Sequence, residues 1–391
     1  MSKTAVMFGA GAVGRGFLGQ LFSESGYEVV FIDVDTALMA RLNDRRNYPI
    51  HLVSNAGTQE ILVGPVRALD SRQSGEVSQA VAEASIAATA VGARILPVIA
   101  PLIAAGIRRR ASVADSPPLN IIICENLKDA AASFRKMVAE HLPASAQEYL
   151  AHHIGFVDTV IGRMVPPPTE EMHARDPSLI AVEPYKELPV ERAAFIGPIP
   201  EIVGMQPCDN FPAYTARKLY IHNCGHAYLG YLGYLKNYEY GYQALADVDI
   251  RADFEEAMHE SISGIVAVYE VQAVWLEKHK ADLVERFANR ALGDTIFRIG
   301  RDPLRKLAAR DRLVGAARLA EKAGVRPGAL AKGIAAGYHF DASEDALADE
   351  LQTIIRERGI SSALETVSEL KPGEALTNLA LEQYHSLTKT P

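Results

Sequence analysis

The chain has 391 residues, more than one hydrophobic core usually organises, so two domains are expected. Its 48% hydrophobic and 23% charged residues are the composition of a soluble globular protein, and the longest apolar run, Ile95 to Ile107, holds two prolines and stops at Arg108-Arg109-Arg110, which excludes a membrane span there. A formal charge of −8 argues against general nucleic-acid binding, while Cys124, Cys208 and Cys224 form no CxxC pair and the N-terminus shows no signal-peptide pattern, so a reducing cytoplasm is the expected setting.

The first element is an apolar strand, Ala5-Val6-Met7-Phe8, which runs into Gly9-Ala10-Gly11-Ala12-Val13-Gly14. A helix-like segment follows to Gly26, and a second apolar strand, Val29-Val30-Phe31-Ile32, ends at Asp33. In that order Gly9 permits the tight turn, Gly11 lets the backbone approach a pyrophosphate, and Gly14 lets helix and strand pack closely. Asp33, about 20 residues on, is placed to accept the ribose hydroxyls of an adenosine. A carboxylate there favours NAD over NADP because a 2′-phosphate would meet like charge, although Arg41, Arg45 and Arg46 downstream are able to soften that rule. The glycine pattern alone also fits an ordinary turn; the flanking strands and the acid decide for a nucleotide-binding unit.

Next, Tyr48 to Val53 and Gln59 to Leu69 read as extended segments around the turn Ser54-Asn55-Ala56-Gly57. Ile86 to Val91 reads as a buried strand, with Gly92 turning into an apolar helix bent by Pro97 and Pro101; Leu119 to Cys124 is a further strand, ending at Glu125-Asn126. Ligands sit beyond the carboxyl ends of the strands in an open parallel sheet, so Gly9, Asp33, Gly92 and Asn126 are expected along one edge. From Gly155 the chain reads as strands and loops, with Pro166-Pro167-Pro168 and Glu183-Pro184, and beyond Pro212 apolar residues recur at helical spacing, broken near Gly300-Arg301-Asp302-Pro303, Pro327-Gly328 and Pro372-Gly373. The expected architecture is an α/β, Rossmann-type NAD-binding domain with extra strands over residues 1–200. A mostly α-helical substrate-binding and catalytic domain follows over 201–391, with the active site between them. Charge is uneven: Arg286 to Lys322 carries ten Lys or Arg against four Asp or Glu, a local +6 that leaves −14 elsewhere. Such a block is a solvated face or part of a cleft for an anionic substrate.

If the reaction removes hydride from an alcohol, the protein must also accept a proton. Cys208, Cys224 and His226 are too few and too scattered for zinc, so no metal is expected. Tyr214 and Lys218 reproduce a Tyr-x-x-x-Lys spacing, but the glycine loop of the enzymes that use that pair is spaced differently, which makes Tyr214 a packing residue. Lys218 is left, with His222, Asn223 and His226 near the same helical face. Free lysine titrates near ~10.4, so a base useful at pH 7 to 8 needs its neutral form favoured by about 3.5 kcal/mol, the direction in which desolvation and neighbouring cations act. A surface lysine and a core histidine on an amphipathic helix produce the same pattern, and from these residues alone both readings stay open.

Lys218-x4-Asn223-x2-His226 resembles the signature of the polyol-specific long-chain dehydrogenases. The likeness runs nearly end to end, through Phe8-Gly9-Ala10-Gly11, Gly14-Arg15-Gly16-Phe17, Thr89-Ala90-Val91-Gly92, Cys124-Glu125-Asn126, Gly155-Phe156-Val157-Asp158 and Gly300-Arg301-Asp302-Pro303-Leu304-Arg305-Lys306-Leu307. The resemblance implies a metal-independent, NAD-linked, reversible oxidation of a sugar-alcohol phosphate, with D-mannitol 1-phosphate to D-fructose 6-phosphate as the leading expectation. It implies Lys218 as base, Asn223 stabilising the oxygen that gains or loses charge, His226 orienting the substrate, Arg298 and Lys306 in or near the substrate pocket, and Asn126 at the cofactor edge. The partner is a small sugar phosphate, with neither nucleic acid nor membrane, and a monomer fits. A fructuronate- or tagaturonate-type sugar-acid reductase and a non-catalytic NAD sensor are the alternatives. The chain departs from the family pattern at Gly162, where an Asp usually precedes the Arg, and in Glu183-Pro184-Tyr185-Lys186-Glu187-Leu188, which lacks a tryptophan.

Overall fold

The computed structural model describes residues 3–127, 129–166 and 168–387, so Pro167 of the expected proline run lies outside the described residues. The chain divides into two compact units, residues 1–211 and 212–391.

The first unit is built on a six-stranded parallel sheet of β1 (Thr4–Phe8), β2 (Glu28–Asp33), β5 (Val66–Asp70), β6 (Ile86–Thr89), β7 (Leu119–Ile123) and β8 (Ile154–Asp158). The spatial order is β5-β2-β1-β6-β7-β8, the doubly wound arrangement in which strand order reverses between β1 and β6. The middles of the strands are largely apolar because both faces of the sheet are covered. Ala5, Met7, Val29 and Phe31 enter one core and Val6, Phe8, Val30 and Ile32 the other, as the two-residue period of a strand requires. Helices Ser74–Glu83, Leu96–Ala111 and Ala130–Ala139 cover the second core. Pro97 sits in the first turn of helix Leu96–Ala111 and Pro101 inside it.

The segment expected as one extended run over Gln59 to Leu69 is two strands that part at Gly64-Pro65. β3 (Tyr48–Ser54) pairs antiparallel with β4 (Gly57–Val63), whereas β5 joins the main sheet beside β2. β9 (Ile180–Val182) lies parallel to β3 and completes a three-stranded sheet, and β10 (Leu188–Glu191) pairs with β11 (Met205–Cys208). That last pairing carries the first unit past the expected boundary at residue 200: β11 finds its hydrogen-bonding partner in β10, not in the helices that follow.

The second unit is helical. Its longest helices are Val248–Tyr269 and Ala346–Ser368, the second interrupted at Gly359, whose φ is 78°. Helix Cys224–Leu235 is buried nearly all round, and glycines let tyrosines and backbones close on one another. A Cβ on Gly264 would stand 2.7 Å from Ala320 N, and one on Gly333 2.4 Å from the Tyr228 ring.

Candidate functional site

The glycine loop after β1 is shaped by close backbone approach. Gly9 has φ 95° and donates to Ile32 O at 2.8 Å, and a Cβ there would stand 2.6 Å from Ala90 O. A Cβ on Gly14 would lie 2.0 Å from Gly9 O, so loop and helix touch backbone to backbone. Gly11 has nothing within 4 Å of where its Cβ would stand; together with exposed Ala12 and half-buried Val13 it leaves an open shelf of the kind a pyrophosphate needs. The residues present fit a dinucleotide. Directly after the loop, Gly14–Leu18 is π-helical, a form common at functional sites.

Asp33 ends β2 and is tied to this loop. Its Oδ2 accepts the Ala10 N–H at 2.6 Å, and its Oδ1 accepts from Val34 N at 2.7 Å and Asp35 N at 3.1 Å. Each oxygen has further acceptor capacity for hydroxyls. Across the strand-order reversal, Gly92 has φ 87°, accepts from Ile95 N at 2.9 Å and is exposed, as is Asn126 after β7. Gly9, Asp33, Gly92 and Asn126 thus follow the carboxyl ends of β1, β2, β6 and β7. Sequence reasoning missed Glu125, which is buried between the last two of these turns: its carboxylate accepts from Thr89 Oγ1 at 2.6 Å and Val91 N at 3.0 Å. Burial pushes this carboxyl up against the pull of those bonds. A lone acid closing a largely apolar strand was the available signal.

The three arginines downstream of Asp33 are all committed. Arg41 and Arg45 meet Asp176, at 2.5 Å and 3.5 Å, and Arg46 meets Glu28 at 2.5 Å. The two departures from the family pattern touch each other, because a Cβ on Gly162 would stand 2.9 Å from the Tyr185 ring. Arg163 is buried and donates to Glu183 O, Gly16 O and Gln20 Oε1 at 2.6–3.1 Å. Lys186, in the second of these segments, is paired with Glu24 at 2.8 Å.

Phe211–Arg217, Lys218–Asn223 and Cys224–Leu235 form one continuous helical run, of which Lys218–Asn223 is π-helical. The Cys224 N–H reaches back five residues to Leu219 O. In a regular α-helix five residues advance about 140° beyond a full turn. A π turn advances fewer degrees per residue, so positions 218 and 223 fall closer to one face than α-periodicity allows. Tyr214 packs against Trp275 with ring centroids 4.8 Å apart, and Arg217 lies over both rings.

His226 stacks on Phe287 at 4.8 Å, and its Nε2 stands 3.2 Å from Asp294 Oδ2. Burial, then the charges of Arg298, Lys218, Lys306 and Arg312, hold its pKa well below the ordinary imidazole value. The neutral ring donates from Nε2 to the carboxylate, which leaves Nδ1 as an acceptor. His222 and His279 are buried beside it and are likewise held neutral, by burial first and by Lys218 and Arg286 among the cations. His222 Nδ1 and His279 Nε2 have no hydrogen-bond partner among the described residues.

Asp294 was missed by sequence reasoning; it also pairs with Arg298, so one carboxylate orders both the imidazole and the guanidinium. Arg298 is about a third exposed, at 32%, whereas Lys306 is 5% exposed and donates to Ile299 O at 2.6 Å. Burial and then Arg312 and Arg305 bring the Lys306 ammonium down to about 7. Much of the local +6 is therefore neutralised or withdrawn: Arg298, Arg305, Arg312 and Arg318 have carboxylate partners, and Arg301 stands exposed beside them.

Two family models match this chain, the mannitol dehydrogenase Rossmann domain over residues 3–204 and the mannitol dehydrogenase C-terminal domain over residues 210–388. The mannitol-1-phosphate 5-dehydrogenase of Bacillus velezensis is 37% identical, covering 97% of this chain and 99% of its own. That of Anoxybacillus flavithermus is 40% identical, covering 94% and 95%. Among solved structures, the ternary complex of Pseudomonas fluorescens mannitol 2-dehydrogenase with NAD and D-mannitol matches with a TM-score of 0.71 at 17% identity, over 99% of this chain and 92% of that one. A substrate-free D-sorbitol dehydrogenase matches with a TM-score of 0.74 at 16% identity, over 93% and 95%.

Proposed function

The chain belongs to the mannitol dehydrogenase family, and on that premise we propose that it interconverts D-mannitol 1-phosphate and D-fructose 6-phosphate with NAD, in a reaction that needs no metal. The observation that carries the substrate is the naming of its near-full-length relatives for mannitol 1-phosphate. The geometry of the lysine segment supports the chemistry.

Bound NAD supplies the hydride acceptor. The glycine loop Gly9-Ala10-Gly11-Ala12-Val13-Gly14 would hold its phosphates and Asp33 its adenosine ribose, with Gly92 and Asn126 further along the same sheet edge. In the oxidising direction Lys218, as the neutral amine, takes the proton of the reacting hydroxyl. Asn223, brought closer to the face of Lys218 by the π turn, donates its amide N–H to the same oxygen and stabilises the charge that develops there. His226 accepts a substrate hydroxyl at Nδ1 because Asp294 holds its other nitrogen as the donor. In the reverse direction the ammonium of Lys218 returns the proton to the carbonyl oxygen.

Arg298 and Arg301 are the cations suited to the phosphate, since a guanidinium keeps its charge. Lys306, largely neutral above its pKa of about 7 and bound to Ile299 O, acts from beneath by holding the α-turn that carries Arg298. The test is NADH oxidation by the purified chain with fructose 6-phosphate, free fructose and fructuronate. Turnover confined to fructose 6-phosphate supports this reading; turnover confined to the carboxylate would transfer it to a sugar-acid reductase.

A further inference from the structure

Asp33 is only half of what a dinucleotide with or without a 2′-phosphate would meet. Helix Thr36–Arg45 begins three residues after it, and Ala37, Arg41 and Arg45 lie one above another on one face at i, i+4 and i+8. Helical side chains lean toward the N-terminus, and Ala37 is small and exposed. Left to itself, the Arg41 guanidinium therefore points back along the helix toward the ribose end of Asp33, where a 2′-phosphate would sit. It is not left to itself. Asp176, 135 residues later in the chain, takes it in a fork, Nε to Oδ1 at 3.2 Å and Nη2 to Oδ2 at 2.5 Å, and also holds Arg45.

Asp176 is built for this. Its side chain is 9% exposed, and its Oδ1 is fixed by Ser178 N at 2.9 Å and Ser178 Oγ at 2.6 Å. Burial alone would raise its carboxyl, but the bonds from Arg41 and Ser178 prevail and hold it below the usual range. The same turn is bolted to the glycine loop: Arg15 donates from Nη1 to Ser178 O and from Nε to Ala10 O at 2.6 Å, and Ala10 in turn donates to Asp33. One hydrogen-bonded circuit thus runs from the ribose carboxylate through the phosphate loop to the carboxylate that occupies the arginines.

We propose that Asp176 is a cofactor-specificity residue, which excludes NADP by sequestering Arg41 and Arg45, the only cations on the helix after Asp33 that lie on the face leading back to the ribose. The inference rests on the reading of this unit as an NAD site. It makes the preference for NAD the product of two carboxylates, one repelling a 2′-phosphate and one withholding the cations that would bind it.

The experiment is fluorescence titration of NADH and NADPH into the native full-length chain, Asp176→Asn, Asp176→Ala and the triple variant Asp176→Ala/Arg41→Ala/Arg45→Ala, with thermal melts of each. Asp176→Asn keeps an acceptor for Ser178 while removing the charge. The native chain is expected to favour NADH. Asp176→Asn and Asp176→Ala should tighten NADPH at least about tenfold, the equivalent of one charge-assisted contact, with NADH changed less than about threefold. The triple variant should lose the gain. A native preference that persists unchanged in folded Asp176→Asn, or a gain that survives in the triple variant, overturns the role of Asp176 while leaving the NAD reading standing. Equal binding of both cofactors by the native chain overturns both.

Discussion

At the level of single residues, the functional side chains are ordered by groups far away in the sequence. Lys218, Asn223 and His226 become candidates through the family resemblance of their spacing, but Asp294, which accepts from His226 and pairs with Arg298, does not, because a carboxylate 68 positions from its imidazole leaves no local pattern. Asp176 escapes sequence reasoning for the same reason. If Lys218 is the base, Lys218→Ala should lower turnover by at least ~100-fold, the low end for losing general acid–base catalysis, with the NADH dissociation constant nearly unchanged. Fluorescence titration and steady-state rates on the same preparation check both halves. The buried histidines make a separate prediction. Their pKa values are lowered in the folded chain, so the unfolded chain binds more protons below about 6.5, and the stability they contribute is complete above that pH and lost as pH falls toward the folded value. His279→Leu should therefore shrink the fall in melting temperature between pH 7 and pH 5; an identical fall in native and variant chains would contradict the burial-driven shift. Lys306 acts in a higher window. With its folded pKa near 7 against 10.5 unfolded, native stability should rise between those values with a slope of up to about 1.4 kcal/mol per pH unit from this residue, and the slope should vanish in Lys306→Met. Urea unfolding at pH 7, 8 and 9 measures it.

At the level of elements, the strands were legible and the turns of helix were not. β1, β2, β6 and β7 are short apolar runs closed by Gly, Asp, Gly or Glu-Asn, and a strand buried on both faces leaves little other choice of composition. β4 and β5 were read as one because both are extended, and only their opposite pairing separates them. The two π-helical segments, Gly14–Leu18 and Lys218–Asn223, carry no sequence signature, since one extra residue per turn is imposed by packing, yet they abut the cofactor loop and the lysine. Gly162 and Tyr185 show a similar hidden dependence between elements. The ring occupies the space of a side chain at 162, so Gly162→Val should destabilise the fold by roughly 1 to 3 kcal/mol through overpacking. Adding Tyr185→Ala should recover part of the loss. Equal and additive losses in a double-mutant cycle would show that the two positions do not compete for space.

At the level of the whole molecule, the division into an α/β nucleotide unit and a helical unit follows from the switch in hydrophobic period near Pro212, and the family models match the two parts separately. The net charge of −8 concealed the basic stretch over residues 286–322, and the stretch in turn overstated the charge available to a ligand, because its arginines are largely paired with acids inside and outside it. Counting charges along a sequence cannot anticipate such pairing, which depends on which helices meet. Arg301, next to the partly exposed Arg298, is among the basic residues of this stretch that remain at the surface, and these two are the ones proposed to meet the phosphate. The proposed reaction is reduction of a ketose phosphate at the Lys218 segment. The most direct measurement is therefore kcat/KM for NADH-dependent reduction of fructose 6-phosphate against free fructose, in the native chain and in Arg298→Ala/Arg301→Ala. The native chain is expected to prefer the phosphate ester strongly, and the variant to lose that preference by about tenfold or more for each charge-assisted contact removed. Equal efficiency with both sugars in the native chain would contradict the proposed reaction.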